Sequence, residues 1–227
     1  MAVKSDFLEE AKKIERKGMD GLLSYLQNSD FFQAPASTIF HGSQEGGLAL
    51  HSLAVTDLMK ELNEMTEAEQ PEDSILVCGL FHDVCKIDFY KVDDREASKA
   101  QINFMLDLCE QNHVNVPTKA ERTVAYVSKV IDALLAKKPI PAFKQSYRIE
   151  DQLPMGHGEK SVFILNQFIR LTDGEALAIR WHLAGFDPGV NFAYPSGLPQ
   201  KQAFRDYKLV PLLATADMAA SYLLDEW

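Results

Sequence analysis

The stretch ILVCGLFHDVCKID, residues 75–88, decides how the chain is read. Ile75, Leu76, Cys78, Leu80 and Phe81 make it almost continuously apolar, and His82 and Asp83 then interrupt it with two polar side chains in a row. Pro71-Glu72-Asp73-Ser74 leads into it, and proline and acidic residues suit the first turn of a helix, so the pattern predicts a helix over about 72–86. A helix this apolar is buried. An ionised carboxylate inside it costs several kcal/mol unless it is paired or holds a cation. Neighbouring residues on a helix point about 100° apart, so His82 and Asp83 can serve one place only near a helix end. Gly79 and a terminus near Lys86 allow that. Cys78 and Cys85 read as small buried hydrophobes.

The same kind of interruption recurs outward from this stretch. In a helix predicted over 47–66, His51 falls on the seam of Leu48, Val55, Leu58, Met59 and Leu62. His157 lies upstream on the seam of Ile164, Phe168 and Leu171, in a helix over 158–170. His182 follows Leu177, Ile179 and Trp181 in a helix over 173–183, and Asp217 sits amid Val210, Leu213, Ala214, Ser221 and Leu224 in a helix over 207–225. A single inward histidine is commonly a core residue with one hydrogen bond, and an arginine could pair with Asp217. Four imidazoles and two carboxylates facing inward from five helices share a single explanation, convergence on a metal centre. Neutral imidazole and carboxylate accept Mn, Fe, Ni, Co, Zn or Mg, as one or two ions.

The rest of the chain reads as helical too. Residues 6–27 form one amphipathic helix or two, with Gly18 and Gly21 as weak points, and further helices are expected over 96–112 and 118–137. Pro139 and Pro141 end that pattern, and 139–156 is irregular, with room for a short strand or hairpin. GFDPGVNFAYPSGLP, residues 185–199, is a candidate lid whose Phe186, Phe192 and Tyr194 would either stack on a base or form a satellite core. The expected fold is all-α, a helical bundle in one domain over 1–227. An N-terminal helical extension would cover 1–40, and the metal-binding core 41–225 would carry an insertion at about 88–156.

Composition narrows the classes. The 227 residues are 46% apolar and 25% charged, enough for a substantial core. With 23 basic against 33 acidic residues the net charge is −10, which disfavours a partner of extended nucleic acid. Three cysteines with no C-x-x-C pair argue against a disulfide framework and against a cysteine-based zinc site. The start, MAVKSDFLEEAKKIERKG, has no apolar signal core, and no run of about 18 apolar residues occurs, so a cytoplasmic protein without a membrane partner is expected. The oligomeric state is left open.

The ordered set His51, His82-Asp83, Asp217, in the strings GGLALHSLAV (46–55), LFHDVCKID (80–88) and TADMAA (215–220), resembles the HD-domain metal-dependent phosphohydrolase superfamily. His157 in GHGEKS (156–161) and His182 in IRWHLAG (179–185) are placed like the extra pair of its dinuclear branches. The resemblance implies five core helices plus extra ones around the metals. It implies that His51, His82, Asp83 and Asp217 bind one ion, and that Asp83 bridges to a second held by His157 and His182. It further implies catalysis through Asp83 and Lys86, with a metal-activated hydroxide cleaving a phosphomonoester or phosphodiester of a nucleotide or related small phosphate ester. Lys86 would touch the substrate phosphate, or else be a solvated helix-end lysine. His41 would be a substrate contact or an exposed loop residue. Glu159, Lys160 and Arg180 would orient imidazoles or form ordinary salt bridges. No GYP motif is present, which disfavours the cyclic-di-GMP branch. A di-iron oxygenase and a metal-binding regulatory module without turnover are the competing readings.

Overall fold

The computed structural model describes residues 2–38, 42–183 and 197–224. Among the described residues the fold is all-α apart from one small two-stranded ribbon. The chain forms two compact units, Met1–Tyr90 with Glu150–Trp227, and Lys91–Ile149.

The first unit contains α1 (Ala2–Ala11), α2 (Met19–Asn28), α3 (Gly47–Met65) and α4 (Glu72–Phe81) before the excursion into the second. After it come α7 (His157–Leu165), α8 (Asp173–Trp181), α9 (Leu198–Asp206) and α10 (Leu209–Ala219), the last prolonged by a π-helical turn over Ala220–Leu224. Of the one or two helices expected at the N-terminus the structure has two, α1 and α2, with Gly18 capping α2 at φ +97°. A Cβ at Gly18 would lie 1.9 Å from the Phe168 carbonyl oxygen, so only glycine lets the backbones meet there. Phe7, Phe31 and Phe81 anchor the core edge to face, with Phe7 at 5.1 Å from Phe31 and 5.9 Å from Phe81. α3 packs along α4, α7 along α8, and α10 against both α3 and α8.

Two departures from the sequence reading bear on function. The helix expected over 72–86 ends at Phe81, and Val84–Lys86 continues as a single 3₁₀ turn. Asp83 is the hinge, at φ −108° and ψ 17°. The second departure is α9, which falls where no helix is expected, between the candidate lid and the helix over 207–225. Of its residues only Ala203 is buried, so no apolar stripe marks it in the sequence. Its signals are Gly197 at φ +62° before it and Pro199 in its first turn.

A buried ionic knot joins distant parts of this unit. The Glu175 carboxylate on α8 is fully buried, and Arg16 grips it with two parallel hydrogen bonds of 2.7 and 2.6 Å. Ser74 donates its hydroxyl to the same carboxylate at 2.6 Å, as does the Thr172 backbone N–H at 2.9 Å. Arg16 also donates to Asp73 at 2.5 Å.

The second unit packs α5 (Lys99–Gln111) on α6 (Val124–Leu135) around its own core of Met105, Cys109, Val127 and Val130. A capping box between Ser98 and Gln101 opens α5. Strand β1 (Tyr90–Val92) pairs with β2 (Tyr147–Ile149), and β2 falls within the stretch where a short strand or hairpin was expected. No helix among the described residues is long and apolar enough to cross a membrane.

Candidate metal centre

Five helices of the first unit bring the expected donors together. His51 comes from the second turn of α3, His157 opens α7, and Asp217 sits on the buried face of α10. His82 and His182 occupy the position that closes α4 and α8, and Asp83 follows at the hinge. Gly79 makes the first of these placements possible. A Cβ there would be 2.4 Å from Thr56 Oγ1 and 2.7 Å from its Cα, so α4 touches α3 at this point. His51, His82, Asp83, His182 and Asp217 are all buried, and His157 is partly exposed.

Two imidazoles are fixed by their own helices. His82 Nδ1–H donates to the Gly79 carbonyl at 2.9 Å, and His182 Nδ1–H donates to the Ile179 carbonyl at 2.6 Å. A carbonyl only accepts, so each Nδ1 carries the proton and each Nε2 is left as a lone pair. Both Nε2 atoms are buried, and neither has a hydrogen-bond partner among the described residues. Burial drives the His82 pKa down to about 4, so the ring is neutral near pH 7. Orphaned buried nitrogens are costly in a packed interior, and a bound cation or water would satisfy them.

Asp83 divides the donors into two sets. Its Oδ2 faces Lys86 Nζ at 2.5 Å, His82 Nε2 at 3.5 Å and His51 Nε2 at 3.9 Å. Its Oδ1 faces His157 Nε2 at 2.7 Å and His182 Nε2 at 3.5 Å. Asp217 Oδ1 lies 3.0 Å from His51 Nε2 and 3.9 Å from His82 Nε2, which places it with the first set. Donor atoms within 4.8 Å of one another form three overlapping groups that could hold an ion: His51, His82 and Asp217; His82, Asp83 and His182; and Asp83, Cys85 and His157. The chemistry of the set, imidazole and carboxylate around a shared oxygen pair, fits divalent cations.

The charges support one another. Burial opposes ionisation of Asp83, but Lys86, His82 and His157 outweigh it and hold the carboxyl well below its usual range. Burial likewise opposes ionisation of Asp217, and the hydrogen bond from His51 prevails, so this carboxyl is also lowered. Lys86 is buried beside Asp83, and although burial disfavours its charge, the carboxylate raises its pKa. The alternative of a solvated helix-end lysine is thereby set aside. His157 reaches a pKa of about 10 against the effect of burial, through the Cys85 sulfur and the Asp83 carboxylate.

The other expected contributors fare differently. Arg180 pairs with Glu159 at 2.7 Å and Lys160 with Asp151 at 2.6 Å, which is the salt-bridge alternative for all three. His41, and Phe186, Phe192 and Tyr194 of the candidate lid, lie outside the described residues. Asp83, Lys86, His182 and Asp217 line a cleft, and Met218 and Tyr222, which also line it, are exposed. Cys85 is the residue the sequence reading passed over. Its Sγ is 3.3 Å from His157 Nδ1 and 3.6 Å from Nε2. Its position two residues after Asp83 was the available signal.

A comparison with known families bears on the same helices and donors. The family model of the HD domain matches residues 48–153, just under half of the chain. That domain is all-α, binds divalent metals and is characteristic of metal-dependent hydrolases. The matched segment contains His51, His82 and Asp83, while His157, His182 and Asp217 join them through the fold. No curated protein and no solved structure matches the chain.

Proposed function

We propose that this protein hydrolyses a phosphoester bond of a nucleotide or related small phosphate ester, using divalent cations held by His51, His82, Asp83, His157, His182 and Asp217. The observation that carries the reading is the pair of buried Nε2 atoms of His82 and His182. Both are held in the ligand tautomer, lack a hydrogen-bond partner among the described residues, and lie 3.5 Å from opposite oxygens of Asp83.

A bound divalent cation supplies a water acidified toward neutral pH and a Lewis acid for phosphoryl oxygens. The chain's own groups prepare for that chemistry. The Gly79 and Ile179 carbonyls hold two imidazoles in tautomer and orientation, so little reorganisation precedes binding. Asp83 presents one oxygen to each donor set, which suits a shared ligand of two ions. Lys86, anchored on Asp83 and lining the cleft, places a positive charge where an anionic ester would enter. The site lies in the first unit, and its acidic carboxylates would repel a phosphate unless cations were present.

The test is a panel of nucleotides and simple phosphate esters assayed with Mn, Co, Ni, Zn and Mg, alongside His82→Ala and Asp83→Asn. Metal-dependent release of phosphate or of a nucleotide, lost in both variants, is the expected result. Hydrolysis that persists in either variant, or a metal-loaded protein inert on the whole panel, would overturn the proposal.

A further inference from the structure

We propose that Cys85 is a seventh donor of the centre: its sulfur joins Asp83 Oδ1 and His157 around the second cation and makes that position selective for a thiophilic ion. The proposal rests on the metal-binding reading above and sharpens it.

Three observations converge. Cys85 is buried, and its backbone N–H donates to Ser161 Oγ at 3.2 Å, one turn beyond His157, which pins the 3₁₀ turn to α7. Its sulfur lies 3.6 Å from His157 Nε2, the nitrogen that also faces Asp83 Oδ1 at 2.7 Å. A tetrahedral ion with metal–sulfur near 2.3 Å and metal–nitrogen near 2.0 Å holds its sulfur and nitrogen donors about 3.5 Å apart. The sulfur therefore stands at a ligand-edge separation from Nε2, and for an ion to enter, the short His157–Asp83 hydrogen bond and the 3.3 Å contact of the sulfur with His157 Nδ1 have to open. Independently, His182 Nε2 is aimed at the same Asp83 oxygen from 3.5 Å, buried and without a hydrogen-bond partner among the described residues. Asp83, Cys85 and His157 form one group of donor atoms within 4.8 Å of one another, and His182 belongs to a second group that shares Asp83 with it.

The consequence is chemical selectivity. Imidazole and carboxylate alone accept hard and borderline ions alike, whereas a thiolate favours zinc, iron or cobalt over magnesium. On binding, the thiol proton leaves to solvent and the sulfur takes the metal in its place.

Cobalt(II) titration of the full-length, metal-stripped protein tests this by absorption, without any turnover. The expected result is a near-ultraviolet sulfur-to-cobalt charge-transfer band beside the visible d–d bands. It should be lost in Cys85→Ser and kept in the Cys78→Ala/Cys109→Ala double variant, in which Cys85 is the remaining cysteine. The double variant assigns the band even if Cys85→Ser fails to fold. Cobalt bound with d–d bands but no charge transfer would overturn the thiolate and leave the proposed function standing. A band that survives Cys85→Ser or disappears in the double variant would also overturn the thiolate. Protein that takes up no cobalt would overturn both.

Discussion

Arg16 and Glu175, separated by most of the chain, meet as a two-pronged ion pair with nitrogen–oxygen distances of 2.7 and 2.6 Å, and the carboxylate is fully buried. Glu175 is also the third residue of α8, where it closes a capping box with Thr172, and α8 carries His182 at its other end. The pair thus fixes the start of a helix whose end supplies a donor. Arg16→Ala leaves a buried charge held by only a hydroxyl and a backbone amide, a defect of about 3 kcal/mol or more. For a chain of this size that is roughly a 6–12 °C fall in Tm. Thermal unfolding followed by circular dichroism measures it, and a fall within 1 °C of zero would show that the pair contributes nothing.

The same carboxylate predicts an acid limb. Burial would raise its pKa, but Arg16, Ser74 and the Thr172 amide prevail, so it is lowered in the folded protein. A lowered carboxyl contributes stability that is complete above its unfolded pKa of about 4.5 and disappears as pH falls below that value toward the folded one. Urea unfolding at pH 7 and at pH 4 should show wild-type protein losing more stability on acidification than Glu175→Gln. Equal losses in the two proteins would refute this account.

Gly79 sets a steric test. Gly79→Ala drives a methyl group to within 2.4 Å of Thr56 Oγ1, so α3 and α4 must separate or distort. A cost of about 1–3 kcal/mol is expected, with weaker cation binding because His51 and His82 lie on the two helices being forced apart. Gly174→Ala is the control: its methyl meets Leu209 and Tyr207 at 3.5 Å, ordinary contact, and it should be neutral or slightly stabilising. Chemical unfolding and zinc titration calorimetry of the two variants distinguish these outcomes.

Cation binding should be visible as stability. A ligand at 100 times its Kd stabilises a fold by about 2.7 kcal/mol, here roughly 5–11 °C in Tm. Zinc or cobalt should raise Tm by that order in wild-type protein, and chelator should reverse the rise. Asp83→Asn, which removes the charge both donor sets share, should lose most of the increment. A variant that keeps the full metal-induced shift would remove Asp83 from the site.

Much of this architecture is legible in the sequence because burial imposes a helical period. His51 and Asp217 stand out for the simple reason that a polar residue on an apolar seam needs a partner. Boundaries were harder. The α4 end at Phe81 depends on the His82 imidazole folding back onto the Gly79 carbonyl, a contact that no periodicity reports. α9 escaped because a helix lying almost wholly in solvent has no stripe to betray it. By composition Cys85 is a small apolar residue among others, and its closeness to His157 exists only once α7 is in place. Arg16 and Glu175 carried a partial signal, since Thr172-x-x-Glu175 spells a capping box, but the arginine that neutralises the glutamate is supplied by the tertiary fold.

His82 and His182 each close a helix, so α4 and α8 both terminate at the donor group. The carboxyl end of a helix carries about half a negative charge from its aligned peptide dipoles. Two such ends therefore create a field that welcomes a positive ion and turns away a bare anion before any side chain is counted. The backbone itself thus favours a cation at this point of the fold.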